Sequence, residues 1–171
     1  MAHSWQRFHW NLDDLSGTSL PELPPFVFRL AETDEREVVL KVVSSALMME
    51  RAWTGAEAAF GRDFDKRCEA AFDHEPPACI VVQHGSRVIG ASVLDLSDDA
   101  TFHLLTGPCI LHEYRSRGLG SALLGRSLER LREEGVRRAI AMARVNSAAA
   151  RFVYPKFGSI AEPMEVPKIA A

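Results

Sequence analysis

Long apolar runs are missing from this 171-residue chain. No stretch approaches the roughly 18 apolar residues that a membrane span requires, so no membrane partner is expected. The opening Met1-Ala2-His3-Ser4-Trp5 has neither the basic nor the apolar region of a secretory leader. Cysteine is scarce as well. The three present, Cys68, Cys79 and Cys109, are odd in number and unpaired in spacing, which excludes a closed disulfide framework within one chain and fits a reducing, cytoplasmic setting. Basic excess is also lacking: 20 Lys and Arg against 23 Asp and Glu leave a formal charge of -3, unlike a general nucleic-acid binder. Internal repeats and low-complexity tracts are absent.

What is there suits one globular domain: 47% of residues are hydrophobic and 25% charged, enough to bury a core at this length. Residues 1–24 read as an N-terminal extension packed on the sheet, with Phe8, Trp10 and Leu12 alternating with His9 and Asn11 as on a half-buried strand. Residues 25–171 read as a single domain. Phe26 to Leu30 is expected to be a strand. A helix follows, capped by Thr33 or Asp34, with Val38, Val39, Val42, Val43 and Leu47 on its apolar face. A second helix carries Phe64, Cys68 and Phe72 and ends before Pro76-Pro77. Cys79 to Val82 and Val88 to Leu94 form a hairpin around His84-Gly85-Ser86, and a third strand, Phe102 to Leu111, is interrupted at Gly107-Pro108. Leu119 to Glu134 has the clearest helical stripe, ending at Gly135. Ala139 to Val145 is a strand, and Ser147 caps a last helix, Ala148 to Phe157, that Gly158 closes. The class is α/β (α+β): a mixed, mostly antiparallel sheet flanked by helices in the order β-α-α-β-β-β-α-β-α, with a short C-terminal strand and an extra N-terminal strand.

Chemistry concentrates in Glu113-Tyr114-Arg115-Ser116-Arg117-Gly118-Leu119-Gly120-Ser121, where a strand passes into the best helix. The first N–H groups of a helix have no internal partner and carry partial positive charge. Glycine removes the Cβ that would keep a ligand off them. With Arg115 and Arg117 as cationic forks, a pyrophosphate is the natural guest. A P-loop is excluded, because Gly120 is followed by Ser121-Ala122 and not by Lys and a hydroxyl residue. A dinucleotide fingerprint is disfavoured by Leu123 where a third small residue is needed, and by the charged residues before the glycines.

The chain resembles the GNAT superfamily of N-acetyltransferases, whose acyl-CoA signature is Gln or Arg, two residues, Gly, one residue, then Gly or Ala. Arg115, Gly118 and Gly120 match it, and Tyr154-Pro155-Lys156-Phe157-Gly158 looks like the family's later tyrosine-to-glycine segment. The resemblance spans about Phe26 to Gly158 by element order. It implies acetyl-CoA as co-substrate, no metal, and a small-molecule or protein amine as acceptor. The cofactor would be held by Arg115, Arg117, Gly118, Leu119, Gly120 and Ser121, by the splayed strand at Cys109 and Ile110, and by Asn146 or Ser147.

The resemblance also implies that Tyr154 returns a proton to the departing thiolate. Its glutamate base falls on Met142, which takes no proton, leaving His103, His112, Glu50, Glu113 or a water open. The loop Met48 to Trp53, with Glu50 and Trp53, would select the acceptor. Only 13 residues follow Gly158, so one of the family's closing strands is missing. The N-terminal strand, or a second subunit in a homodimer, is expected to cover that edge.

Overall fold

The computed structural model describes residues 5–15, 20–48 and 56–165, with backbone alone over 56–62. Among the described residues, seven strands form two sheets. One has the order β2 (Phe26–Leu30), β3 (Cys79–His84), β4 (Arg87–Val93), β5 (Cys109–Ile110). The other places β1 (Trp5–Asn11) between β6 (Arg138–Arg144) and β7 (Ile160–Met164). Every ladder is antiparallel. The helices are α1 (Arg36–Met48), α2 (Ala56–Ala70) and α3 (Leu119–Glu133), followed by a π-helical turn at Ala149–Val153. This is the α+β class and element order expected, including both extra strands.

Helical spacing puts Leu119, Ala122, Leu123, Leu124, Leu128 and Leu131 of α3 out of water, and this face packs across β3, β4 and β5. In α1 the buried set is Val39, Val42, Val43, Ala46 and Leu47. Val38, expected on that face, is 43% exposed. It lies about 100° round the helix from Val39, outside a stripe that Ala46 completes. Neither Thr33 nor Asp34 caps α1. Its entry is a short 3₁₀ turn at Thr33–Glu35, where the Glu35 carboxylate accepts the Glu32 N–H at 2.8 Å and also pairs with Arg29.

The N-terminal strand does more than cover an edge. It completes β6 along seven residue pairs, Trp5 to Asn11 against Arg144 to Arg138, and carries β7 on its other side. Being central, it is covered on both faces: Phe8 and Trp10 point into the main core, while Trp5 joins Phe102 and Met142 in a second cluster and His9 is buried too. Pro163 falls on β7, which pairs on one side only, where its missing N–H leaves no gap in a ladder.

The expected strand from Phe102 to Leu111 is reduced to β5 and a single bridge between Leu94 and Leu104. Gly107 takes φ +64°, and the Val93 N–H, which a regular strand would pair with a backbone carbonyl, donates to the Thr106 hydroxyl at 3.1 Å. A side chain thus repairs the ladder where the bulge breaks it. Upstream of the bulge, the chain crosses to the other sheet: the His103 and Leu104 N–H groups both donate to the Ile140 carbonyl, at 2.8 and 3.2 Å. The sheets meet there and share no ladder at β5.

Candidate active site

A cavity of about 350 Å³ runs along the unpaired edge of β5. One end is the turn from Arg115 into α3. Other walls come from Ala46 and Leu47 at the end of α1 and from the π-helical turn, with Tyr154 and Lys156 just beyond it.

The turn is built for exposed amides. Gly118 precedes α3 at φ +80°, ψ 2°, the left-handed region that favours glycine, and no side chain caps the helix. The first intrahelical bond in the ladder is from Ala122 N–H to the Gly118 carbonyl at 3.1 Å, which leaves the N–H groups of Leu119, Gly120 and Ser121 ahead of it without helical acceptors. Gly118, Leu119, Gly120 and Ser121 all line the cavity. Ser116 also has positive φ, +62°, so the chain is bent sharply twice to bring these amides to the opening.

Arg115 is turned inward. Its Nε donates to the Ile110 carbonyl at 3.2 Å and a terminal nitrogen to the Ala46 carbonyl at 3.1 Å. Ala46 lies in the last turn of α1, so the guanidinium satisfies an orphan carbonyl at the negative end of that helix dipole. Arg115 therefore locks β5, α1 and the turn together. Arg117 is exposed, its guanidinium 5.9 Å from the centroid of the Tyr114 ring. A cation bonded at the helix entrance is one that the sequence motif does not single out. Lys156 Nζ donates to Ser121 Oγ at 2.7 Å and lines the cavity; its only signal in the sequence is a place in the Tyr154 to Gly158 segment.

Cys109 and Ile110 both line the cavity. Leu111 N–H bonds the Ile89 carbonyl at 2.9 Å, and Ile110 is paired with Gly90. Antiparallel alternation then points the Ile110 N–H and C=O away from β4. Gly90 permits this closeness: a Cβ there would lie 2.6 Å from Ile110 Cδ1 and 3.0 Å from the Cys109 carbonyl. Ser147 is buried as a helix cap, accepting the Ala150 N–H at 3.1 Å and donating to the Arg144 carbonyl at 2.8 Å. Asn146 is exposed, and neither residue is on the cavity lining.

Pro155 shapes the segment that holds Tyr154. It offers no N–H to the Arg151 carbonyl, and the helix widens: Tyr154 N–H reaches back five residues to the Ala149 carbonyl at 2.8 Å. The expected helix to Phe157 is therefore a π-helical turn of five residues. Tyr154 lines the cavity yet is only 2% exposed, and burial pushes its phenol well above the usual tyrosine range. It is a protonated phenol throughout the neutral range.

The candidate bases scatter. His103 Nδ1 accepts the Ile140 N–H at 3.1 Å, a structural tie between the two sheets. His112 and Glu113 are exposed and off the lining, with Glu113 3.4 Å from Arg87. Met142 packs with Trp5 and Phe102. Glu50 and Trp53 lie outside the described residues. No described residue lining the cavity carries a carboxylate or an imidazole.

The sequence profile described as "Acetyltransferase (GNAT) family" matches residues 46–158, more than half of the chain. The chain belongs to the acetyltransferase (GNAT) family. This GNAT chain also shares its fold with solved structures at low identity. A GCN5-related N-acetyltransferase from Sphaerobacter thermophilus is 14% identical, with TM-score 0.62 over 94% of this chain and 49% of that one. One from Kribbella flavida is 14% identical, with TM-score 0.54 over 97% and 59%, and a Drosophila protein is 10% identical, with TM-score 0.63 over 94% and 49%. The chain thus spans about half the length of these structures. No curated protein matches it. Among the described residues no helix is long and apolar enough to cross a membrane.

Proposed function

We propose that this GNAT chain transfers an acetyl group from acetyl-CoA to a primary amine of a small molecule or a protein. The observation that carries the reading is the continuity of one cavity from the uncapped N-terminus of α3 to the phenol of Tyr154. The donor set fits a diphosphate: helix amides without acceptors, and an ammonium at Lys156 beside Ser121. Arg117 adds positive charge from the surface. The outward N–H of Ile110 suits an amide-bearing arm laid along β5, with Cys109 beside it.

Acetyl-CoA supplies an activated thioester carbonyl. As the amine nitrogen bonds to that carbonyl and the C–S bond breaks, Tyr154 gives its proton to the departing sulfur, and the proton lost by the amine restores the phenol through solvent. A phenol held protonated by burial is suited to this role. The described lining carries no carboxylate or imidazole, so the proton of the attacking nitrogen passes to a water or to Glu50, which lies outside the described residues.

The absence of a carboxylate from the described lining favours a second reading, a non-catalytic acyl-CoA-binding module. Calorimetric titration with CoA and acetyl-CoA turnover against an amine panel separate the two. Saturable binding with turnover is the expected result; binding without turnover selects the module, and no binding by folded protein rejects both.

A further inference from the structure

β1 precedes every residue of the GNAT match, yet it supplies two of the groups that touch Tyr154. The Phe8 ring centroid lies 5.2 Å from that of Tyr154, and Trp10 meets it edge to face at 5.6 Å with an interplanar angle of 81°. Both side chains are buried, Phe8 at 2% and Trp10 at 0% exposure. The Trp10 indole Nε1–H donates to the Lys156 carbonyl at 2.9 Å, across 146 positions of sequence. It thereby ties β1 to the chain two residues past Tyr154. At the other end of the ring, the hydroxyl rests on Gly107: a Cβ built there would meet Tyr154 Oη.

The tyrosine's own segment holds its backbone, with the Tyr154 N–H on the Ala149 carbonyl at 2.8 Å and the Ser159 hydroxyl on the Tyr154 carbonyl at 2.6 Å, but it does not hold the ring. A π-helical turn interrupted by Pro155 lacks the regular ladder that fixes a side chain in an α-helix. What orients the ring comes from elsewhere, and Phe8, Trp10 and Gly107 are among the groups that touch it.

We infer that β1 is a positioning element of the acyl-transfer site, with Phe8 and Trp10 pressing the Tyr154 hydroxyl against Gly107 and the Trp10 N–H fixing the turn that carries it. The inference rests on the reading of Tyr154 as proton donor. Loss of the seat changes the proton step, whereas the amides at the start of α3, built by another segment, keep their grip on CoA.

The chain has two tyrosines, Tyr114 and Tyr154, so in a Tyr114→Phe background ultraviolet tyrosinate absorbance reports Tyr154 alone. Trp10→Phe keeps a ring and removes the N–H. Its phenol is expected to titrate at lower pH than the parent's, with kcat lowered on the order of tenfold, a fraction of what a general acid contributes, and CoA affinity lowered as well, because the lost N–H also frees the turn that carries Lys156. Adding Trp10→Phe to Tyr154→Phe lowers kcat no further. Phe8→Leu, which leaves the bond from Trp10 to Lys156 in place, is the second variant: the same titration and kcat changes are expected, with CoA affinity within about twofold. An unchanged titration in both variants, or a kcat loss that persists in full beside Tyr154→Phe, overturns the positioning role. Full turnover by Tyr154→Phe alone overturns the donor reading beneath it, while the titration still reports the seat.

Discussion

At the scale of single residues, the two glycines of the turn have different jobs. Gly118 sits at φ +80° with open space where a Cβ would go, its nearest neighbour Leu23 Cδ1 being 3.9 Å away. Its cost on substitution is therefore backbone strain alone, about 1–2 kcal/mol for a residue forced into the left-handed region. Gly120 is helical, and a Cβ there would make ordinary contact with Val153 Cγ2 at 3.6 Å. Gly118→Ala is expected to lower stability by about 1–2 kcal/mol and to weaken CoA binding as the amides turn away. Gly120→Ala should be neutral to slightly stabilising, since alanine is the better helix former by up to about 1 kcal/mol, and should keep CoA affinity within a few-fold. Denaturant melts and calorimetry on the pair check this; equal losses at both positions would contradict it. Gly120→Asp, which places an anion among the amides, should abolish binding without unfolding the protein. Arg115→Ala acts differently from a lost phosphate contact. It frees the Ile110 and Ala46 carbonyls, so stability and CoA affinity should fall together.

Elements are where sequence and structure diverge most instructively. α3 was legible because six apolar residues, all of them buried, repeat at helical spacing and its ends carry glycines at +80° and +89°. The Gly107 break and the Ser147 cap were legible too, each being a local backbone requirement. The neighbours of β1 were not, because alternation along a strand specifies which face is buried and says nothing of the strand on either side. The Thr106 hydroxyl standing in for a ladder group was equally hidden, since it depends on where Val93 comes to rest. So was the role of Lys156, which needs Ser121 brought across from 35 positions away. The place of β1 has a testable consequence. Trp5, Phe8, Trp10 and Leu12 are at most 7% exposed, and burying such side chains contributes roughly 1.5–3 kcal/mol each. Net domain stability is about 5–15 kcal/mol. Deleting residues 1–12 should therefore leave no cooperative thermal transition, and β6 and β7 would lose the strand they share. A truncated protein that melts sharply near the parent's midpoint would show that β1 is dispensable.

The whole molecule depends on how its two sheets are joined, and the described tie has one titrating group. His103 is 1% exposed and its Nδ1 accepts the Ile140 N–H at 3.1 Å, beside the backbone bonds from His103 and Leu104 to the Ile140 carbonyl. A protonated ring has no lone pair for that N–H, and burial lowers the imidazole pKa below its ordinary 6.5. In the unfolded chain the ring titrates at its ordinary value. As pH falls below that value, the unfolded state takes up a proton that the folded state refuses, and stability drops; at the depressed folded pKa the loss levels off. Above the ordinary value both states are neutral and His103 adds no slope. His103→Asn removes the titration while offering an amide oxygen in place of Nδ1. The expected outcome is that wild type loses more unfolding free energy than His103→Asn between about pH 7.5 and pH 5.5, the two curves running parallel above that window. Urea melts across the range measure it, and parallel curves throughout would mean that the junction is insensitive to protonation. Because Thr106, three residues past His103, lines the cavity, a loosened junction should also weaken CoA binding in the same pH window in wild type and spare it in the variant.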